Sequence, residues 1–216
     1  MSNIIWEEIG KGLIETLQMT VISALLAYII GLPLGVLLVV TDKGHVLQNR
    51  VIHSVLGTIV NIFRSIPFLI LLVFLIPFTR WITGASIGTA ATIVPLTVGA
   101  IPIIARMVES SLKEVPPGII EAAQSMGASP PQIIFRFLIP EAVPSLLLGG
   151  AINLATILGY SAMAGCIGGG GLGAIALNYG YYRYQTDVLL VTVVILILIV
   201  QIFQELGTRL SLKTRH

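Results

Sequence analysis

The run VLLVTVVILILIVQIF occupies residues 188–203 and carries no charge; its only polar side chains are Thr192 and Gln201. With its flanks, from Asp187 to Leu206, it reaches the roughly 20 mostly apolar residues that a helix needs to cross a bilayer. The remaining chain shares this character. Of 216 residues, 56% are hydrophobic and 10% charged, against roughly 25% charged in an average soluble domain. The mean hydropathy is +0.97. One compact core cannot hide that much apolar surface, because a folded chain leaves a large part of its surface exposed. A soluble domain is therefore excluded. Disorder is excluded too, since it needs low hydrophobicity and high net charge.

Four further stretches have spanning length: about 17–40, 55–78, 87–108 and 142–165. Together with 187–206 they predict an all-α membrane protein of five transmembrane helices forming a single domain over 1–216. The second stretch is the least pure, because Arg64 falls in its first half. Orientation follows the Lys/Arg distribution. If the 41–54 loop, the 109–141 loop and the C-terminal tail are cytoplasmic, then nine of the 12 basic residues lie inside: Lys43, Arg50, Arg64, Arg106, Lys113, Arg136, Arg209, Lys213 and Arg215. Lys11, Arg80 and Arg183 fall outside. The N-terminus is then outside and the C-terminus cytoplasmic.

The net charge of +2 comes from scattered residues and offers no patch for nucleic acid. Cys166 is the single cysteine, so no intrachain disulfide can form. The opening MSNIIWEEIGKGLIE lacks the basic start of a cleaved signal peptide, so Met1 is expected to remain in the mature protein.

The longest cytoplasmic segment, 109–141, reads ESSLKEVPPGIIEAAQSMGASPPQIIFRFLIPE. Pro116 and Pro117 suit a first helical turn, where a missing N–H does no harm. Ile119, Ala122, Ala123 and Met126 then predict one apolar helical face. Gly127 suits the left-handed residue that ends a helix. Ser129 and Gln132 have capping-box spacing, with Pro130 opening a second short helix. These features fit either an interfacial helical hairpin or a docking element.

The spacing EAA, three residues, Gly, nine residues, then FLIP resembles the EAA loop of ABC importer permeases. Glu121, Ala122, Ala123, Gly127 and Pro140 match that pattern, with Phe137 and Ile139 as apolar replacements. NIFRSIPFLILLVFLIPFTR at 61–80, IVPLTVGAIPIIARMVE at 93–109 and GYSAMAGCIGGGGLG at 159–173 are similar to the methionine importer permeases. The resemblance implies a type I ABC importer-like fold whose EAA loop is a coupling helix. It also implies a homodimer in a bacterial inner membrane, two cytosolic ATPase subunits that bind ATP and Mg, and an extracytoplasmic methionine-binding protein. In that family Glu121 would face the ATPase and Gly127 would permit the turn. The chain itself would hold no cofactor and no metal and would perform no catalysis. Methionine of either hand, a derivative, or another small amino acid would fit as solute.

Candidate residues of the solute path fall in two groups. Asn61, Arg64 and Ser65 form a polar cluster in the second span, where polar groups are costly and often functional. Arg64 either lines the path or snorkels to the inner interface. Tyr160, Ser161 and Met163 end the fourth span and offer hydrogen bonds and a soft apolar contact, with helix packing as the competing reading. Gly168, Gly170 and Gly173 have G-x-G-x-x-G register, but they follow a span rather than a strand. A flexible or closely packed outer loop is expected instead. Gly31 and Gly35 have the spacing of a close helix contact, and Pro95 and Pro102 turn the third span toward the protein interior.

Two other classes fit poorly. A membrane-embedded enzyme needs converging catalytic groups, yet His45, His53 and His216 lie outside the spans and GYSAM departs from G-x-S-x-G at Met163. An ion-coupled carrier needs acids or histidines within the membrane, and the acids are expected only at span ends.

Overall fold

In a computed structural model the backbone of residues 3–214 and the side chains of residues 5–214 are described. Met1, Arg215 and His216, which entered the expectations above, lie outside these residues. The first helix, α1, runs over Asn3–Val40, well beyond the expected start near residue 17. Four helices are long and apolar enough to cross a membrane: Ile5–Val40, Thr89–Lys113, Pro130–Ile167 and Thr186–Thr214.

The stretch 55–78 is not one straight span. Helix α2 (Arg50–Ser65) meets α3 (Phe68–Phe74) at 98°, and α4 (Ile76–Thr83) follows. The cause is Pro67. Its ring pushes the preceding residue out of the helical region, and Ile66 is extended at φ −79°, ψ 123°. Counting the bent pair as one broken span brings the total to five.

Helix α5 (Thr89–Lys113) is the centre of the molecule. It packs against α1, α2, α3, α4 and the later helix over Ile139–Ala164. Its proline positions Pro95 and Pro102 are buried, where protein can surround the broken backbone bonding. In a membrane, helices associate through packing rather than by escape from water, and small residues set the closest seams. A Cβ at Gly31 would meet Ile104, and one at Gly35 would meet Val108 and the Ala105 carbonyl at 2.6 Å. The Gly31/Gly35 pair therefore joins α1 to α5 within the chain.

Helices α6 (Pro117–Ser125) and α7 (Pro130–Ile133) form the expected hairpin. A π turn over Ile134–Leu138 then feeds directly into α8 (Ile139–Ala164). The widened turn lies just before Pro140, which lacks the N–H that regular helix bonding would use. A 3-10 turn, the short helix α9 (Gly171–Ile175), a second π turn and α10 (Thr186–Thr214) complete the chain. A Cβ on Gly207 of α10 would collide with Ala151 of α8, which makes this a second small-residue seam.

Candidate functional site

Residues far apart in sequence meet at one end of the helices. Lys113 closes α5 and donates to Asp42, just past α1, over 2.9 Å. Ser211 near the end of α10 donates to the Pro144 carbonyl of α8 over 2.7 Å. The three segments rich in basic residues therefore share this basic end.

The hairpin projects from it. Pro116, Pro117 and Gly118 are exposed at the start of α6. The helix stops in a Schellman turn: Ala128 N–H bonds the Ala123 carbonyl at 3.0 Å and Gly127 N–H that of Gln124 at 2.9 Å. Gly127 takes φ +77°, a conformation glycine adopts without a Cβ penalty. Beyond it, Gln132 Oε1 accepts from Ser129 N–H at 2.9 Å, closing the capping box.

The face of α6 differs from the expected stripe. Ile120 and Ala123 turn inward, and Ile119 is half-buried. Ala122 and Met126 are exposed together with Glu121, Gln124 and Ser125. Contact of Ile120 and Ala123 with the core around Val115 and Ile133 sets this rotation. The outer surface is thus mixed: the Glu121 carboxylate beside Ala122, Met126 at 72% exposure, and Phe135 at 70% on the π turn. Pro140 is also exposed. Next to this surface a cavity of about 400 Å³ opens between the ends of α5, α8 and α10, lined by Glu114, Pro116, Pro140 and Glu141 among others.

Behind the hairpin lies a polar network that reaches across three helices. Arg106 pairs with Glu109, at 2.5 Å. Its other amino group donates to the Gly57 carbonyl at 3.0 Å and to Asn61 Oδ1 at 2.7 Å. Lys113 bonds Glu109 at 2.9 Å as well as Asp42. His53 Nε2 stands 3.7 Å from Asp42, and its Nδ1 lies 2.9 Å from the Leu38 carbonyl. Hydrogen bonding from Lys113 holds the Asp42 carboxyl below the usual range. Glu109 is 6% exposed and sits inside α5, because the helix runs past the expected end at 108. Glu109 is four residues from the end of α5, and its burial is tolerated because two cations surround the carboxylate. The i, i+3 and i+7 spacing of Arg106, Glu109 and Lys113 was visible in sequence; Asp42 and Asn61 were not linked to it by any local signal.

The path candidates are dispersed. Asn61 is engaged by Arg106, and Ser65 bonds back to the Asn61 carbonyl at 2.7 Å. Arg64 is exposed on α2. Tyr160 stacks on Phe68 with ring centroids 4.2 Å apart, next to the start of α3. Ser161 is buried and donates to the Leu158 carbonyl, whereas Met163 is exposed. A buried polar group that sequence reading missed, Asn153, lies on α8 near Tyr28.

At the opposite end the glycine-rich stretch is tightly packed. A Cβ on Gly165 would run into the backbone of Gly173 and Ala174, and one on Gly173 into Ala162. Glu15 of α1 accepts from Gly171 N–H at 2.7 Å, and Thr16 accepts from Leu172 N–H at 2.9 Å. Gly88 N–H bonds the Gly168 carbonyl at 2.9 Å, tying the stretch to the start of α5. Close backbone approach explains these glycines. Glu15 lies within α1, and its partner is the Gly171 backbone amide.

Comparison with known proteins adds to this geometry. The family of binding-protein-dependent transport system inner membrane components matches residues 31–210. The "Probable D-methionine transport system permease protein MetI" of Vibrio cholerae serotype O1 is 52% identical over 202 residues, 94% of this chain and 90% of its own length. The D-methionine transport system permease protein MetI of Escherichia coli K12 is 56% identical over 155 residues, 72% of this chain and 71% of its own. A solved inward-facing conformation of the MetNI methionine ABC transporter superposes with a TM-score of 0.98 at 49% identity, covering all of both chains.

Proposed function

The chain belongs to the family of binding-protein-dependent transport system inner membrane components, and from that premise we propose that it is the permease subunit of an ATP-driven methionine importer. The observation that carries this reading is the likeness over the full chain, at 49% identity, to a methionine ABC transporter. Two copies of the chain form the solute path between them. ATP and Mg bind on two separate cytosolic ATPase subunits, and hydrolysis occurs there. An extracytoplasmic methionine-binding protein delivers the solute. The basic end faces the cytoplasm and the N-terminus lies outside, in keeping with the Lys/Arg bias.

The hairpin is the point of contact with the ATPase. Glu121 offers the charged contact, and Ala122 permits close approach beside it. Ala123 and the turn at Gly127 hold the helix on the core, and Pro140 links it to α8. A short rigid helix joined to both α5 and α8 carries partner motion to two spans at once. The permease then exchanges inward-open and outward-open states as ATP binding favours one of them. Arg64, Met163 and Tyr160 are the path candidates best placed to meet solute. Ser65 and Asn61 shape the polar turn behind Arg64, and Ser161 supports the helix end that carries Met163.

The test is reconstitution of the chain with its ATPase and binding protein in lipid vesicles. Uptake of labelled methionine is expected only with ATP, the ATPase and the binding protein all present. Uptake by the chain alone overturns the reading.

A further inference from the structure

The polar network behind the hairpin is continuous in a way that packing does not require. It begins at Asp42, at the end of α1, and passes through Lys113 and Glu109 to Arg106 with contacts of 2.9, 2.9 and 2.5 Å. Arg106 then crosses to α2, donating to Gly57 and Asn61. Asn61 lies one helical turn before the end of α2, and its carbonyl receives the Ser65 hydroxyl at 2.7 Å. The next residues are Ile66 and Pro67, where the chain turns through 98°. At the other end, Lys113 is the last residue of α5, and α6 begins at Pro117.

The network therefore joins the root of the hairpin to the break in the second span. Helix α2 needs such a tie. Among its described residues only Val60 is fully buried, so few apolar contacts hold it to the bundle. A buried ion pair is a weak source of stability, because desolvation offsets attraction. It does fix geometry, since a hydrogen-bonded guanidinium constrains both partners in direction and distance.

We propose that Asp42, Lys113, Glu109, Arg106 and Asn61 act as positioning residues that transmit motion of the hairpin to the break at Ile66–Pro67. The inference rests on the importer reading. When the ATPase displaces the hairpin, α5 shifts along its axis, and Arg106 draws α2 with it. The chain of bonds makes α2 move with α5 rather than slide past it.

The experiment uses the full transporter in vesicles, with methionine uptake and ATP hydrolysis measured on the same preparation. Asn61→Leu removes the acceptor on α2 at an exposed position and leaves the core intact. Methionine taken up per ATP hydrolysed is expected to fall about fivefold or more, with the apparent affinity for methionine unchanged. Asn61→Asp keeps an acceptor for Arg106 and is expected to retain coupling. Lys113→Met cuts the same chain at its other end, so the double variant should be no worse than the poorer single one. An unchanged ratio in Asn61→Leu, equal loss in Asn61→Asp, or additive losses in the double variant would each overturn the proposal. A loss of apparent methionine affinity would also overturn it, by placing Asn61 on the solute. A wild-type transporter that fails to take up methionine would instead defeat the importer reading.

Discussion

Gly127 and Gly173 are both required, for different physical reasons. A Cβ at Gly127 would meet open space, so the constraint is its φ of +77°. Gly127→Ala should cost about 1 kcal/mol through the left-handed backbone alone, and Gly127→Asn less. Thermal melting of the purified chain measures both. A bulky side chain at this turn points outward, so Gly127→Leu acts through backbone strain and by obstructing the partner's approach. At Gly173 the limit is space, since a Cβ would strike the Ala162 carbonyl. Sequence reading recognised the first glycine from its place after a helical stripe. It could not separate a tight loop from a flexible one at the second, because the opposing backbone comes from elsewhere in the chain. Asp42 illustrates the same limit. Its carboxyl is held below the usual range, chiefly by Lys113. A depressed acid stabilises the fold above its unfolded pKa of about 4 and loses that contribution as pH falls through the folded value. The melting difference between wild type and Asp42→Asn should therefore be largest near neutrality and shrink in acid below about pH 4.

Helices that looked alike in composition play unequal parts. Helix α5 is the most buried of the four long ones, and its prolines foretold an interior position. Helix α1 lies along it through Gly31 and Gly35, so the seam should be sensitive to volume. Gly35→Leu should destabilise the chain by roughly 1–3 kcal/mol through overpacking against Val108 and Ala105. A melting temperature that stays at the wild-type value would refute a tight seam there. The broken second span was legible in principle. Pro67 stands in the sequence, and the residue before a proline avoids helical backbone. Hydropathy averaged across the break hid it, because both arms are apolar. The inward face of α6 was misjudged by one position: four apolar residues recur at helical spacing, and only contact with Val115 and Ile133 selects Ile120 over Ala122 and Met126 for burial.

At the scale of the assembly, the chain carries a mixed apolar and acidic surface at its basic end, and under the proposed docking of the ATPase there, charge at Glu121 should govern the contact. Glu121→Lys changes an exposed side chain, so the chain should melt as wild type does. Retention of the ATPase subunit in detergent should drop about tenfold or more, because reversing a charge in a matched interface is costly. Co-purification measures it, and full retention would place the contact elsewhere. Composition was enough to put the chain in a membrane, since an apolar excess this large has no soluble solution. Short-range spacing was enough to find the hairpin, because caps, proline starts and glycine stops act over three or four residues. Which polar groups meet was beyond its reach. Arg106 joins Asn61 across 45 positions and Glu15 joins Gly171 across 156. Such contacts depend on how helices pack side by side, and that packing is chosen by the small-residue seams of the whole bundle rather than by any local run.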